Sequence, residues 1–139
     1  MKIKNIIILS LFFLVNNLCD AQKKTTNWNG KKCAVVLTYD DALNIHLDKV
    51  IPALNSFHFQ GTFYLIASSS VVTNRVPEWR AASEKGHELG NHTLYHPCDG
   101  SLLGRDFVSK ENDLSTYTVA RAVKEIQTAN QILKGIDGK

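Results

Sequence analysis

Two short apolar runs and a third, shorter strand-like segment alternate with segments of helical periodicity, and no other feature constrains the fold of this 139-residue chain as tightly. Residues 33–38 (CAVVLT) and 61–67 (GTFYLIA) are rich in apolar, β-branched and aromatic residues, and residues 87–91 (HELGN) read as a third, short strand. A strand of a parallel sheet is covered on both faces, so it reads as a continuous apolar run rather than an alternating one. Between the first two runs, Leu47, Val50, Ile51, Leu54 and Phe57 recur at helical spacing, and Pro52 predicts a kink or a late helix start. Between the second and third, residues 68–75 read as a polar linker. Residues 76–85 read as a short helix that begins at Pro77 and stops before Gly86. After a loop at 97–113, Ser115 or Thr116 is placed to cap a last helix. Val119, Val123, Ile126, Ala129 and Leu133 should form its buried face, with Gly135 closing it. This order predicts an α/β fold of parallel strands joined by right-handed helical crossovers.

The first residues belong to a different design. Lys2 and Lys4 precede an almost unbroken apolar stretch at 6–15, and Cys19-Asp20-Ala21 follows. Residues 1–21 therefore read as a secretory signal peptide cut before Gln22, since the apolar stretch is shorter than the ~20 residues a membrane span needs. The expected product is exported, periplasmic or secreted, with no membrane anchor after cleavage. Residues 22–32, which include Trp28, read as a polar leader, and residues 33–139 as the folded domain. The net charge is only +3, without a basic stripe, which argues against a nucleic-acid partner. Cleavage removes Cys19 and leaves Cys33 and Cys98 at opposite strand ends. A disulfide needs Cα atoms within about 7 Å, so these two should not pair.

The residues with chemistry cluster by topology. Asp40 and Asp41 follow the first run directly, and His92 and His96 follow the third. Open parallel sheets bind ligands at the carboxyl ends of their strands, so these four side chains should converge. Pro97 biases His96 away from helical backbone, so the His-x-x-x-His segment should be a turn rather than a helix face. Two neutral imidazoles and one carboxylate form a three-ligand set with an open position, as in catalytic zinc sites, and the second carboxylate is free to act as a base. The alternatives are ordinary turn or core histidines and a solvent-facing acidic pair. His46 reads as an exposed or helix-start histidine in preference to a group supporting the site, His58 as a turn residue, and His87 as a packed residue at the third strand's start in preference to a hydrogen-bond partner behind the site. Trp79 reads as core in preference to a sugar-stacking surface. Asn91-His92-Thr93 matches the glycosylation pattern, but a turn at a metal site would be a poor acceptor.

Three stretches in this order resemble the polysaccharide deacetylases, the NodB-homology group of carbohydrate esterase family four. Leu37-Thr38-Tyr39-Asp40-Asp41 is similar to the family's Thr-Phe-Asp-Asp motif, with Tyr39 in place of Phe. Gly61-Thr62-Phe63-Tyr64-Leu65 is similar to its second-strand signature, and the segment from Gly86 through His92-Thr93-Leu94-Tyr95-His96-Pro97 to its His-Ser/Thr-x-x-His motif. The resemblance implies the N-terminal portion of a distorted (β/α) barrel, ending before the family's third motif. It implies Asp40 as general base, Asp41, His92 and His96 as ligands of a divalent metal, commonly Zn2+, and Thr93 as support for the histidine loop. The implied reaction is hydrolysis of acetyl groups on an N-acetylated or O-acetylated polysaccharide, a hydrolase acting on non-peptide C–N bonds in the amide case. The family's later motifs, including its general acid, have no counterpart in this chain. A non-catalytic exported remnant that binds metal or glycan is the alternative, and a different metal hydrolase on a similar sheet is a third reading.

Overall fold

The computed structural model describes residues 30–139, so the signal-peptide reading, Trp28 and most of the leader lie outside the described residues. Residues Val36–Lys139 form one compact unit that carries every element below; residues 30–35 belong to a separate unit.

The sheet is parallel, as the alternation predicts, in the order β1 (Thr38–Tyr39), β2 (Thr62–Leu65), β3 (Glu88–Asn91). Thr38 is in register with Thr62, and Thr62 with Glu88. β1 is much shorter than the expected strand at 33–38. Its ladder starts where β2 starts, and Val35 and Val36 are 79% and 76% exposed rather than covered on both faces.

Phe63, Leu65 and Leu89 point to the face that the helices cover. There they meet Leu54, Val72, Trp79, Leu133 and Ile136. Phe63 organises this core: it stacks on Tyr39 at 4.9 Å and meets Trp79 at a tilt and His87 edge-on. Trp79 is fully buried and its indole N–H donates to Val71 O, which makes it a core residue and removes it as a sugar platform. The opposite face carries Thr62, Tyr64, Glu88 and Gly90, because strand side chains alternate. Thr62 Oγ1 donates to Glu88 Oε2 across it at 2.7 Å.

The first crossover opens with a π-helical turn, His46–Val50, and becomes regular in α1 (Ile51–Ser56). Pro52 explains the late start. It has no N–H to give and its ring crowds the carbonyl four residues back, so the preceding turn widens. The expected linker at 68–75 contains a helix, α2 (Ser70–Asn74): Ser69 caps it by accepting from the Val72 N–H, and Val72 is buried. α3 (Val76–Glu84) runs as expected from Pro77 to the Gly86 turn.

The last helix, α4 (Val119–Asp137), differs from expectation at both ends and in its buried face. Thr118, not Ser115 or Thr116, is the cap, and Gly138 at φ 78, not Gly135, closes it. The buried positions are Glu125, Ala129, Leu133 and Ile136, while Val119, Val123 and Ile126 are exposed. The rotation follows from Glu125, whose burial is compensated by Arg121 Nε at 2.9 Å and the Tyr117 hydroxyl at 3.3 Å. Arg80 of α3 donates to the carbonyls of Ile136 and Gly135, tying down the helix's C-terminal end.

His87 packs, as expected. It is fully buried, its Nδ1 accepts from the Gly61 N–H, and its Nε2 donates to Asn55 Oδ1. One neutral ring therefore joins α1 and the starts of β2 and β3. Burial pushes its pKa below the ordinary 6.5, and that of His46 as well. The unfolded chain thus binds protons more readily, and stability is lost as pH falls below about 6.5. The melting temperature should drop between about pH 7.5 and about pH 5.5, by about 4 °C or more per kcal/mol lost. His87→Asn should start lower and show a flatter dependence. Thermal melts across that window check this, and a flat wild-type profile would contradict it.

Candidate active site

Asp41 arrives from the carboxyl end of β1, and His92 and His96 from that of β3. One donor atom from each lies within 4.8 Å of the others. His92 Nε2 is 3.3 Å and His96 Nε2 3.9 Å from Asp41 Oδ1, and the two imidazole centroids are 4.6 Å apart. Two ligands bonded at about 2.1 Å with a tetrahedral angle sit about 3.4 Å apart, so one divalent ion fits this donor set. The site is open to solvent, with the side chain of Asp41 about half exposed and that of His92 about a quarter. Asp40 stands one residue earlier, exposed and outside the three-residue group, and its charge reaches His46.

Backbone geometry sets this corner apart. Five residues other than glycine have positive φ among the described residues, and four are here: Asp41 (73°), Ala42 (53°), Thr93 (65°) and His96 (53°). Left-handed backbone costs an L-residue about 1–2 kcal/mol, and a β-branched threonine is a marked outlier there. Such strain persists only where the surroundings fix it, and it gathers at functional sites. His96 lies outside any helix, as Pro97 predicts, so the two histidines do not share a helix face.

The histidine loop is held from three sides. Its backbone continues the β2–β3 ladder, with the His92 N–H donating to Leu65 O, Ala67 N–H to Thr93 O and Ser68 N–H to Leu94 O. Thr93 Oγ1 accepts from the His96 N–H at 2.8 Å. Asn91 Oδ1 accepts from the Thr93 N–H at 2.6 Å, while its Nδ2 donates to Ile126 O and Asn130 Oδ1 on α4. Asn91 was not among the sequence candidates. Its signal is local, an Asn two residues before a strained position, where an Asx turn forms.

His46 stands at a helix start, one of its two expected placements, but is not exposed. It is buried, its ring 5.6 Å from that of Tyr39 and 5.7 Å from that of Phe63, and its Nδ1 accepts from the Leu43 N–H. Burial lowers its pKa, and the charges of Asp41 and Asp40 oppose that shift. His58 is exposed in the α1–β2 turn. Cys33 and Cys98 are both free thiols, as their placement predicts; Cys98 Sγ accepts from Arg105 Nη1. Among the described residues no helix is long and apolar enough to cross a membrane.

Comparisons with known proteins point to one family. The family model described as polysaccharide deacetylase matches residues 27–139. The chain is 27% identical over 112 residues to the peptidoglycan-N-acetylmuramic acid deacetylase PdaA of Bacillus subtilis, covering 80% of this chain and 36% of that protein. The solved structure of PdaA, a family 4 carbohydrate esterase, superimposes with a TM-score of 0.54 at 26% identity, over 75% of this chain and 38% of its own. The peptidoglycan deacetylase PdaC from Bacillus subtilis gives a TM-score of 0.56 at 24% identity, over 75% of this chain and 44% of its own. The chain thus spans less than half the length of each of these relatives.

Proposed function

The chain belongs to the polysaccharide deacetylase family, and on that premise we propose that its strand-end corner is a metal-dependent deacetylase centre. The observation that carries this reading is the grouping of Asp41, His92 and His96 within ligand distance on strained backbone. These three residues hold a divalent metal, Zn2+ by the chemistry of the donor set. When bound, such an ion acts as a Lewis acid that makes water acidic and stabilises negative charge growing on a carbonyl oxygen. Asp40, next to the ligand but outside the group, takes the proton from the attacking water. Thr93 and Asn91 keep the histidine loop in its left-handed turns. The substrate is an acetylated polysaccharide, peptidoglycan by analogy with the named relatives, and on the signal-peptide reading of residues 1–21 the chain works outside the cytoplasm.

A second reading is metal or glycan binding without turnover, since the same Asp41–His92–His96 group serves it. Acetate release separates the two. The full chain loaded with Zn2+ should liberate acetate from N-acetylated chitooligosaccharide or peptidoglycan fragments, and a chelator should abolish it. Metal binding with no acetate released would leave only the second reading.

A further inference from the structure

The turn that presents Asp41 is short and strained, and one buried side chain closes it. Asp41 and Ala42 both have left-handed backbone, and Ala42 is 1% exposed, so the turn is seated in the core and not free to relax. Immediately after it, the Leu43 N–H donates to His46 Nδ1 at 3.2 Å, and the His46 N–H donates to Leu43 O at 3.0 Å. These two bonds fasten residues 43–46 into a ring directly behind the acidic pair. Accepting at Nδ1 requires that nitrogen to be unprotonated, which puts the ring's proton on Nε2. The ring is itself fixed by aromatic neighbours from the two strands, Tyr39 and Phe63. The lock therefore connects the sheet's core to the acidic turn through one imidazole.

We propose that His46 is a positioning residue: its Nδ1, by holding the Leu43 amide, fixes the left-handed Asp41–Ala42 turn and aims the Asp41 carboxylate at His92 and His96. This rests on the reading of those three residues as a metal site. The bond acts through the backbone two residues after the ligand; a hydrogen bond made directly to a metal ligand is worth about 10- to 100-fold in affinity, and the lower end of that range is expected here.

Two variants separate the acceptor atom from the bulk of the ring. His46→Phe keeps an aromatic ring against Phe63 and Tyr39 but has no acceptor. His46→Asn gives up the ring but puts an amide oxygen near the place of Nδ1. Zn2+ titration of the full chain should show His46→Phe about tenfold weaker or more, and His46→Asn within about threefold of wild type. Hydrogen exchange of the Leu43 amide, measured without metal, should quicken about tenfold in His46→Phe and stay near the wild-type rate in His46→Asn. Wild-type affinity and protection in His46→Phe would overturn the proposal, as would equal losses in both variants. If the wild-type chain binds no Zn2+, the metal reading falls. The exchange rates still decide whether His46 locks the turn.

Discussion

Asp40→Asn is expected to lower acetate release by the Zn2+-loaded chain about 10^2- to 10^4-fold, the usual contribution of a positioned general base. Asn has nearly the same shape but cannot accept the proton. Asp40 is exposed and forms no part of the Asp41–His92–His96 group, so its replacement leaves the ligand set and the core intact. Metal affinity should therefore stay within about threefold of wild type and the melt should be nearly unchanged, as for other exposed substitutions. Loss of metal binding together with activity would instead make Asp40 a ligand. An undiminished rate in Asp40→Asn would remove it from the chemistry.

The sheet and the meeting of Asp41, His92 and His96 are legible in the sequence because both rest on short-range signals. An apolar run of the right length marks β2, Pro77 and Gly86 bracket α3 and so place β3 directly after it, and in a parallel sheet residues that follow successive strands emerge at one end. What is not legible depends on distant partners. The length of β1 is set by where β2 begins to pair, which its own composition does not encode. Burial of a polar group is a second cause: α4 turns Glu125 inward, where Arg121 and Tyr117, both near it in sequence, satisfy it, and a count of apolar positions discards a glutamate from the start. His46 resembles any polar residue near a helix start until Tyr39 and Phe63 are seen to enclose it. The missed local signals are α2, where Ser69 followed by the two valines Val71 and Val72 is a cap with an apolar turn behind it, and the Asx turn of Asn91.

The second large effect concerns the ligand set itself. His92 extends directly from β3, and its side chain is the least exposed of the three. Its main-chain N–H, bonded to Leu65 O, is kept by any side chain, so His92→Ala removes a donor atom without cutting the ladder. Loss of a supporting hydrogen bond alone costs a metal site about 10- to 100-fold in affinity, so loss of a ligand should exceed about 100-fold. The direct measurement is calorimetric titration of the full wild-type chain and of His92→Ala with Zn2+ at neutral pH, where neutral imidazoles and an ionised carboxylate are available. A single ion bound per wild-type chain, with affinity lowered more than about 100-fold in the variant, is the expected result. No ion bound at one equivalent, or the same affinity with and without the His92 imidazole, would contradict a metal centre at this site.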